Sequence, residues 1–222
     1  MNNGIGSYIL DELSKHYIIN KIDIGSDATL SKGVSHFTVN RYDIQGVGNL
    51  CILSMYGFLA LVKMETVVLA PIHKDMPLLN SDSISFNGQK IQLVEMYDAR
   101  INPGNGGLEE RCQAIKEQNS QIPDYEMDAT DYSVRLMPVS YGKKSKESDP
   151  RIIAGARKYI DVFIDELIRA PGCDAAVRGE KNRRFAQSLL DNGGPAVNKM
   201  RKLFGEERTR RLVLCHMYGA DT

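Results

Sequence analysis

The 222-residue chain has few of the features that would assign it to a function class at sight. It contains no run of 18 apolar residues, so the sequence does not indicate a transmembrane helix. Its N-terminus, MNNGIGSYILDELSKHY, has neither a basic segment nor an apolar stretch of signal-peptide length. We therefore expect a cytoplasmic protein that does not associate with membranes.

Cysteine, histidine and glycine motifs are missing as well. The four cysteines lie far apart without a CxxC pair, which argues against a zinc knuckle and against a dense disulfide framework. None of the four histidines has a second ligand at i, i+4 spacing, so the sequence gives no support for a metal site. The glycines of GVGN and GNGG lack the spacing of a phosphate-binding loop, and no GxSxG is present. Turns explain these glycines better than a phosphate site does.

The chain has no net charge, with 28 Lys and Arg against 28 Asp and Glu, which argues against general nucleic-acid binding. The charge is nevertheless unevenly distributed. Residues 178–211 hold ten Lys or Arg but only four acidic residues. We call this stretch the basic segment, and it predicts a positively charged surface.

The hydrophobic pattern places strands in the first half of the chain. Residues 5–16 have the apolar spacing of an amphipathic helix. Between Val34 and Leu93, apolar runs favour four or five largely antiparallel strands. The Asn87-Gly88 pair between two apolar segments is typical of a hairpin turn.

Helices are expected in the second half. GLEERCQAIKEQN is one candidate helix, whereas the polar residues 142–149 predict an exposed loop. A long helix is expected to begin at Pro150, with Asp149 as its cap, and to end before Pro171. Shorter helices are expected at 179–190, 195–204 and 206–218. Strands followed by helices, without βαβ alternation, indicate an α+β fold, and we expect a single domain over residues 1–222.

One carboxylate in the strand region needs an explanation. Asp82 follows the sequence DMPLLNS and precedes the apolar residues Ile84 and Phe86. A buried aspartate loses its hydration, so its pKa would rise and it would become a candidate proton donor near neutral pH. Alternatively, Asp82 accepts hydrogen bonds from backbone N–H groups of the preceding loop. These residues alone leave both interpretations open.

Two separated segments resemble the ferredoxin-dependent bilin reductases. In VVLAPIHKDMPLLNSDSISFNGQKIQL, a strand ends near a proline, a short loop follows, and an aspartate precedes the next hairpin. In FAQSLLDNGGPAVNKMRKLFGEERTRRLVLCHMYGAD, an aromatic-led helix is followed by a helix start similar to that family's DPA motif, by L…FG and by a final helix. The order of the segments, the distance between them and the chain length also resemble that family.

The resemblance implies a three-layer α/β/α sandwich with a central antiparallel sheet. It also implies an oxidoreductase whose substrate, a bilin, lies between the sheet and the C-terminal helices, with no bound flavin, metal or other cofactor. Reduced ferredoxin would supply electrons one at a time, while acidic side chains and water supply protons. A protonated bilin accepts an electron more readily, which explains the need for an acid. We expect a monomer with bilin and ferredoxin as partners.

The family's catalytic aspartate falls on Asp82, because MPLLNSD aligns without a gap. A histidine that one branch of the family uses falls on Glu65, or on Thr66 if the gap moves. That branch's neighbouring glutamate falls on Leu53 or Ser54. Glu65 is therefore a second candidate catalytic residue, although a strand-end glutamate that faces solvent fits the sequence equally well.

Other branches of the family use a second acid at the start of the DPA helix. The corresponding position here is Gly194, with Asp191 and Asn192 just before it. Asp191 is therefore a third catalytic candidate, or else an ordinary residue at a helix end. The resemblance also implies substrate contacts at Leu79, Asn80, Phe86, Asn192 and Met200.

The leading hypothesis is a ferredoxin-dependent reductase of a biliverdin-like bilin, with protonation from Asp82. The basic segment would then attract acidic ferredoxin or hold the bilin propionates, unless it is simply a solvated helical surface. The lack of a plain second acid keeps open a non-catalytic tetrapyrrole-binding protein on the same fold. A third hypothesis is a reductase of an opened chlorophyll product, as in the similar red chlorophyll catabolite reductases.

Overall fold

The computed structural model describes residues 4–57, 62–104, 107–125, 136–193 and 195–220. Its centre is an eight-stranded antiparallel sheet in the order β1-β3-β4-β5-β6-β7-β8, with β2 also paired to β3. The strands are β1 (Ile19–Ile22), β2 (Thr29–Lys32), β3 (Ser35–Ile44), β4 (Gly48–Gly57), β5 (Val62–Pro71), β6 (Leu78–Phe86), β7 (Gln89–Tyr97) and β8 (Tyr141–Lys146). Strands β3 to β7 form a meander, which confirms the antiparallel strands expected in this region.

The turn between β6 and β7 forms where the sequence predicts it. Asn87 has φ 50° and Gly88 has φ 71°, the left-handed conformations that a two-residue hairpin turn requires. This turn fixes the register of β6 on β7, and therefore determines which side chains of the two strands lie opposite each other.

The exposed loop predicted for residues 142–149 is wrong, because Tyr141–Lys146 forms the edge strand β8 against β7. Its polar composition concealed the strand. Lys143 is buried, and its Nζ donates to the Ile122 carbonyl (2.9 Å) and pairs with Asp124 (2.8 Å). Exposed lysines on the other side of β8 are typical of edge strands that must not pair with a second chain.

Helices cover both faces of the sheet. One layer contains α1 (Ile5–Ser14), α2 (Leu108–Gln118) and α3 (Pro150–Arg169). The other contains α4 (Ala175–Asn192), α5 (Pro195–Phe204), α6 (Glu206–Arg211) and a π-helix (Leu212–Met217). We call the two sides of the sheet the α3 face and the C-terminal face. The last predicted helix, 206–218, is thus divided into α6 and the π-helix.

Each face has its own hydrophobic core. Ile9, Leu50 and Phe163 belong to the core on the α3 face. Val68 and Phe185 belong to the core on the C-terminal face. The neighbouring residues Val67 and Val68 point into different cores because successive side chains of a strand alternate between faces. Two helical layers around an antiparallel sheet confirm the expected α+β, α/β/α arrangement.

In the part of the chain that the structure describes, no helix combines the length and apolar character needed to cross a membrane.

Candidate functional site

Asp82 lies in the middle of β6, opposite Thr66 of β5 and Leu93 of β7. Leu78, four residues earlier on the same strand, belongs to the core on the C-terminal face. Since side chains separated by an even number of residues share a face, Asp82 also points toward the C-terminal helices. Its side chain is partly buried.

The surroundings of Asp82 form an incompletely covered part of the sheet. On β6 and β7, side chains of the α3 face are largely buried, whereas those of the C-terminal face, apart from Leu78 and Tyr97, are partly or fully exposed. The π-helix packs on β4 and β5. Seven of the partly or fully exposed side chains on the C-terminal face of β6 and β7 form a group that we call the open shelf. They are Asn80, Asp82, Ile84, Phe86, Ile91, Leu93 and Glu95.

The open shelf has a polar end and an apolar end. Asn80, Asp82 and Glu95 form the polar end, and the remaining four side chains are aliphatic or aromatic. Phe86, at the apolar end, is 57% exposed. An apolar surface beside carboxyl groups can bind a conjugated molecule and protonate it at the same time.

The local environment favours the neutral form of Asp82. Burial raises the pKa of its carboxyl group, while the hydrogen bond from the Thr66 hydroxyl acts in the opposite direction. Burial is the larger effect. Asp82 therefore keeps its proton to a higher pH than an exposed aspartate, as a general acid must.

Glu95 is a second acid of the site, and it belongs to none of the motifs recognised in the sequence. It lies opposite Asn80, and therefore diagonally across from Asp82. Burial and the negative charge of Asp82 raise the pKa of Glu95 to about 7, against the effect of a hydrogen bond with Tyr97. Its position between Val94 and Met96 in an apolar strand was the available signal, the same one that drew attention to Asp82.

Asn80 connects the polar end of the open shelf to the C-terminal layer. Its Nδ2 donates to the Tyr218 hydroxyl oxygen at 2.8 Å, and Tyr218 packs edge-on against Phe185 of α4. The Asn80 Oδ1 atom is buried and accepts no hydrogen bond from the described residues. The site therefore contains an acceptor that a protonated side chain could satisfy.

Two residues predicted from the resemblance lie on the other side of the sheet. Glu65 points to the α3 face, where its carboxylate accepts a hydrogen bond from the Gly6 N–H at 2.9 Å, in the first turn of α1. Leu79 is buried in the core on the same face. The structure thus separates both from Asp82, and it is Thr66, the alternative to Glu65, that contacts Asp82.

The remaining predicted residues lie at the C-terminal helices. Asp191 is exposed in the last turn of α4 and accepts a hydrogen bond from Gln187 at 2.7 Å, as an ordinary helix-end residue would. Asn192 ends α4, and Met200 of α5 is buried in the core of the C-terminal face. Gly194 lies outside the described residues.

Much of the basic segment is already paired within the protein. Arg178 is fully buried and donates from Nε to the Pro71 carbonyl at 3.0 Å. Arg208 and Arg211 both bind the buried Asp27, at 3.0 and 2.6 Å. Three further arginines pair with glutamates of neighbouring turns, namely Arg183, Arg184 and Arg201. The exposed cations without an acidic partner among the described residues are Lys199, Lys202 and Arg210.

A cavity of about 320 Å³ lies away from the open shelf, at the C-terminal end of α3. Its charged lining residues are Asp75, Arg100, Glu166 and Arg169. Asp75 accepts hydrogen bonds from two backbone N–H groups, Arg100 pairs with acidic side chains and Arg169 pairs with Glu166. These charges are satisfied internally, so we place the candidate site at the open shelf.

Within the described ranges, no three His, Cys, Asp or Glu side chains lie close enough together to hold a metal ion.

The comparisons with known proteins connect the chain to one fold. No protein-family model and no curated protein matches it. Among solved structures, phytochromobilin synthase from tomato, crystallised in complex with biliverdin, is similar with a TM-score of 0.74. The match covers 97% of this chain and 82% of that one, at 12% sequence identity. At this identity the likeness establishes the fold alone: the chain has the fold of a protein whose crystal structure contains biliverdin.

Proposed function

We propose that this protein is an oxidoreductase that reduces a linear tetrapyrrole of the biliverdin type, with Asp82 as a proton donor. The observation that carries the proposal is the position of Asp82: a carboxyl group with a raised pKa, at the border between the polar and apolar ends of the open shelf. The fold shared with a protein that was crystallised with biliverdin supports the choice of substrate.

The chemistry requires both ends of the open shelf. The apolar side chains Ile84, Leu93 and Ile91 would pack against the conjugated rings and remove them from water. The acid would protonate the pigment and so make it a better electron acceptor. Each reduced double bond takes up two electrons and two protons. Reduced ferredoxin, a one-electron donor, would supply the electrons from outside the protein.

The electron donor would dock at the exposed cations of the basic segment. Lys199 and Lys202 lie on α5, which also contributes Met200 to the core on the C-terminal face. Lys32 of β2 adds a further charge, since its Nζ donates to the Lys202 carbonyl at 3.2 Å. Ferredoxins are acidic, so these cations would accelerate their association at moderate salt.

The proposal is tested with biliverdin, reduced ferredoxin and the variant Asp82→Asn. Asparagine keeps the shape of the side chain but cannot donate an acidic proton. We expect pigment binding to persist and turnover, followed by visible absorption, to fall about 10²- to 10⁴-fold. Asp43→Asn, at an exposed position of β3, is the matched control and should keep wild-type turnover. A wild-type protein that binds the pigment without changing its spectrum rejects the reductase function, and full activity of Asp82→Asn removes Asp82 from the mechanism.

A second candidate function is tetrapyrrole binding without reduction. The observation in its favour is that neither Glu65 nor Asp191, the two further acids predicted from the resemblance, contacts Asp82. Tight stoichiometric binding of biliverdin, with no reduction by ferredoxin over hours, would identify this function.

A further inference from the structure

We propose that Asp82 and Glu95 form one proton-donating pair, in which Asp82 protonates the pigment for the first electron and Glu95 supplies the proton that accompanies the second. This inference rests on the proposed function. It assigns a catalytic role to a residue that neither the sequence motifs nor the resemblance indicated.

The register of β6 and β7 places the two acids together. Asp82 is opposite Leu93, and Glu95 is two residues further along the same face of β7. Diagonal neighbours of this kind lie about 7–8 Å apart, close enough for one planar ligand to contact both. Both side chains are partly buried, so a ligand on the open shelf would reach them without rearrangement of the sheet.

Asn80 offers a hydrogen-bond acceptor to a protonated Glu95. Directly opposite residues in an antiparallel pair have Cβ atoms about 4.5–5.5 Å apart, so the Asn80 amide and the Glu95 carboxyl are neighbours. The Asn80 Oδ1 atom is buried and has no donor among the described residues, while Nδ2 of the same amide is used by Tyr218. An ionised Glu95 cannot donate to this oxygen, whereas a protonated Glu95 can.

The groups that face Glu95 explain why its titration would be coupled to that of Asp82. On β6, Glu95 faces the carboxyl group of Asp82 and the neutral amide of Asn80. On its own strand, Tyr97 forms a hydrogen bond with Glu95. From the helical layer, Tyr218 is connected to this group through its hydrogen bond with Asn80. The only charge among these groups is that of Asp82. Two carboxyl groups at neighbouring positions of a poorly hydrated site raise each other's pKa, so they lose their protons in two coupled steps. The raised pKa values of both groups agree with this arrangement.

The proposed sequence of steps is balanced. The neutral pigment takes the Asp82 proton and one electron from ferredoxin, which gives a neutral radical and an Asp82 carboxylate. A second electron and the Glu95 proton complete the reduction of one double bond. Both carboxylates then regain protons from water. The two electrons oxidise two reduced ferredoxins.

The test separates the two electron steps. Wild-type protein, Glu95→Gln and Glu95→Asp are loaded with biliverdin, and reduced ferredoxin is added in increments while absorption and the radical signal in electron paramagnetic resonance are recorded. We expect Glu95→Gln to form the radical at the wild-type rate but to consume it about 10²-fold more slowly, with partial recovery in Glu95→Asp. Glu110→Gln, at an exposed position of α2, is the matched control. Consumption of the radical at the wild-type rate in Glu95→Gln, with an unchanged pH profile, overturns the pairing.

A second measurement needs no turnover. Infrared difference spectra between pH 5 and pH 8 follow the protonated carboxyl band of Glu95, which is assigned as the band that Glu95→Gln loses. In Asp82→Asn the titration of this band should move to lower pH, because the neighbouring negative charge is gone. An unmoved titration contradicts the coupling, whether or not the protein is active. By contrast, wild-type protein that fails to reduce biliverdin refutes the proposed function itself.

Discussion

Replacing Glu95 by Gln should stabilise the folded protein at alkaline pH. In the folded state burial and the charge of Asp82 raise the pKa of Glu95 from 4.5 to about 7. A group whose pKa is higher in the folded state contributes stability below its unfolded pKa, and this contribution is lost as the pH rises through the folded value. Glutamine resembles the protonated carboxyl group and has no proton to lose in this pH range. The variant therefore avoids the loss of stability at high pH.

The size of the effect follows from the shift in pKa. Each tenfold change in proton affinity corresponds to about 1.4 kcal/mol, so a change from 4.5 to about 7 corresponds to about 3 kcal/mol at most. Glu95 is partly exposed, which lets solvent reduce the penalty. At pH 5 we therefore expect Glu95→Gln to be only slightly more stable than wild type. Between pH 5 and pH 8 its advantage in the free energy of unfolding should grow by about 1–3 kcal/mol.

Urea denaturation at pH 5 and pH 8 measures this gain directly, and thermal denaturation provides a check. For a chain of this size each kcal/mol shifts the midpoint temperature by about 2–4 °C. The control Glu110→Gln removes an exposed carboxylate from the first turn of α2 and should change stability equally at both pH values. If the difference between Glu95→Gln and wild type is the same at pH 5 and pH 8, the buried environment assigned to Glu95 is refuted.

Three further predictions concern other parts of the protein. Glu65→Gln should lower the free energy of unfolding by about 1 kcal/mol, because Glu65 accepts a hydrogen bond from Gly6 at the start of α1. A loss of turnover with unchanged stability would instead make Glu65 catalytic. Asp27→Asn should lower the free energy of unfolding, measured by urea denaturation, by about 2–4 kcal/mol, because two arginines and a histidine would then face a neutral amide. A decrease below about 0.5 kcal/mol would contradict this prediction. The double variant Lys199→Glu/Lys202→Glu should raise the KM for ferredoxin at low salt and leave biliverdin binding unchanged, and an unchanged KM would place the docking surface elsewhere.

The sequence predicted the central part of the fold because the signals there are local and strong. Apolar runs between Val34 and Leu93 indicated the strands that became β3 to β7. By contrast, β1 and β2 have only four residues each, and β8 is polar, so none of them carries a pattern that distinguishes a strand from a loop. These strands form because β3 and β7 offer unpaired backbone groups at the edges of the meander.

The site was only partly predictable for a related reason. The apolar context of Asp82 indicated a raised pKa, and the structure has it. Glu95 has the same kind of context, yet its importance depends on Asp82 lying across the strand pair, which only the register determines. Glu65 shows the opposite case, because a shift of one residue, from Thr66 to Glu65, moves a side chain to the other face of the sheet.

Local conformations follow from the sequence alone: the hairpin at Asn87 and Gly88, the start of α3 at Asp149 and Pro150, and the strands β3 to β7. These depend on backbone preferences and periodicity within a few residues. Which acid lies beside Asp82, and how far each acid is removed from water, is set by the packing of the whole chain. That outcome depends on neighbours distant in the chain, because the free energy of a buried charge is set by everything packed around it.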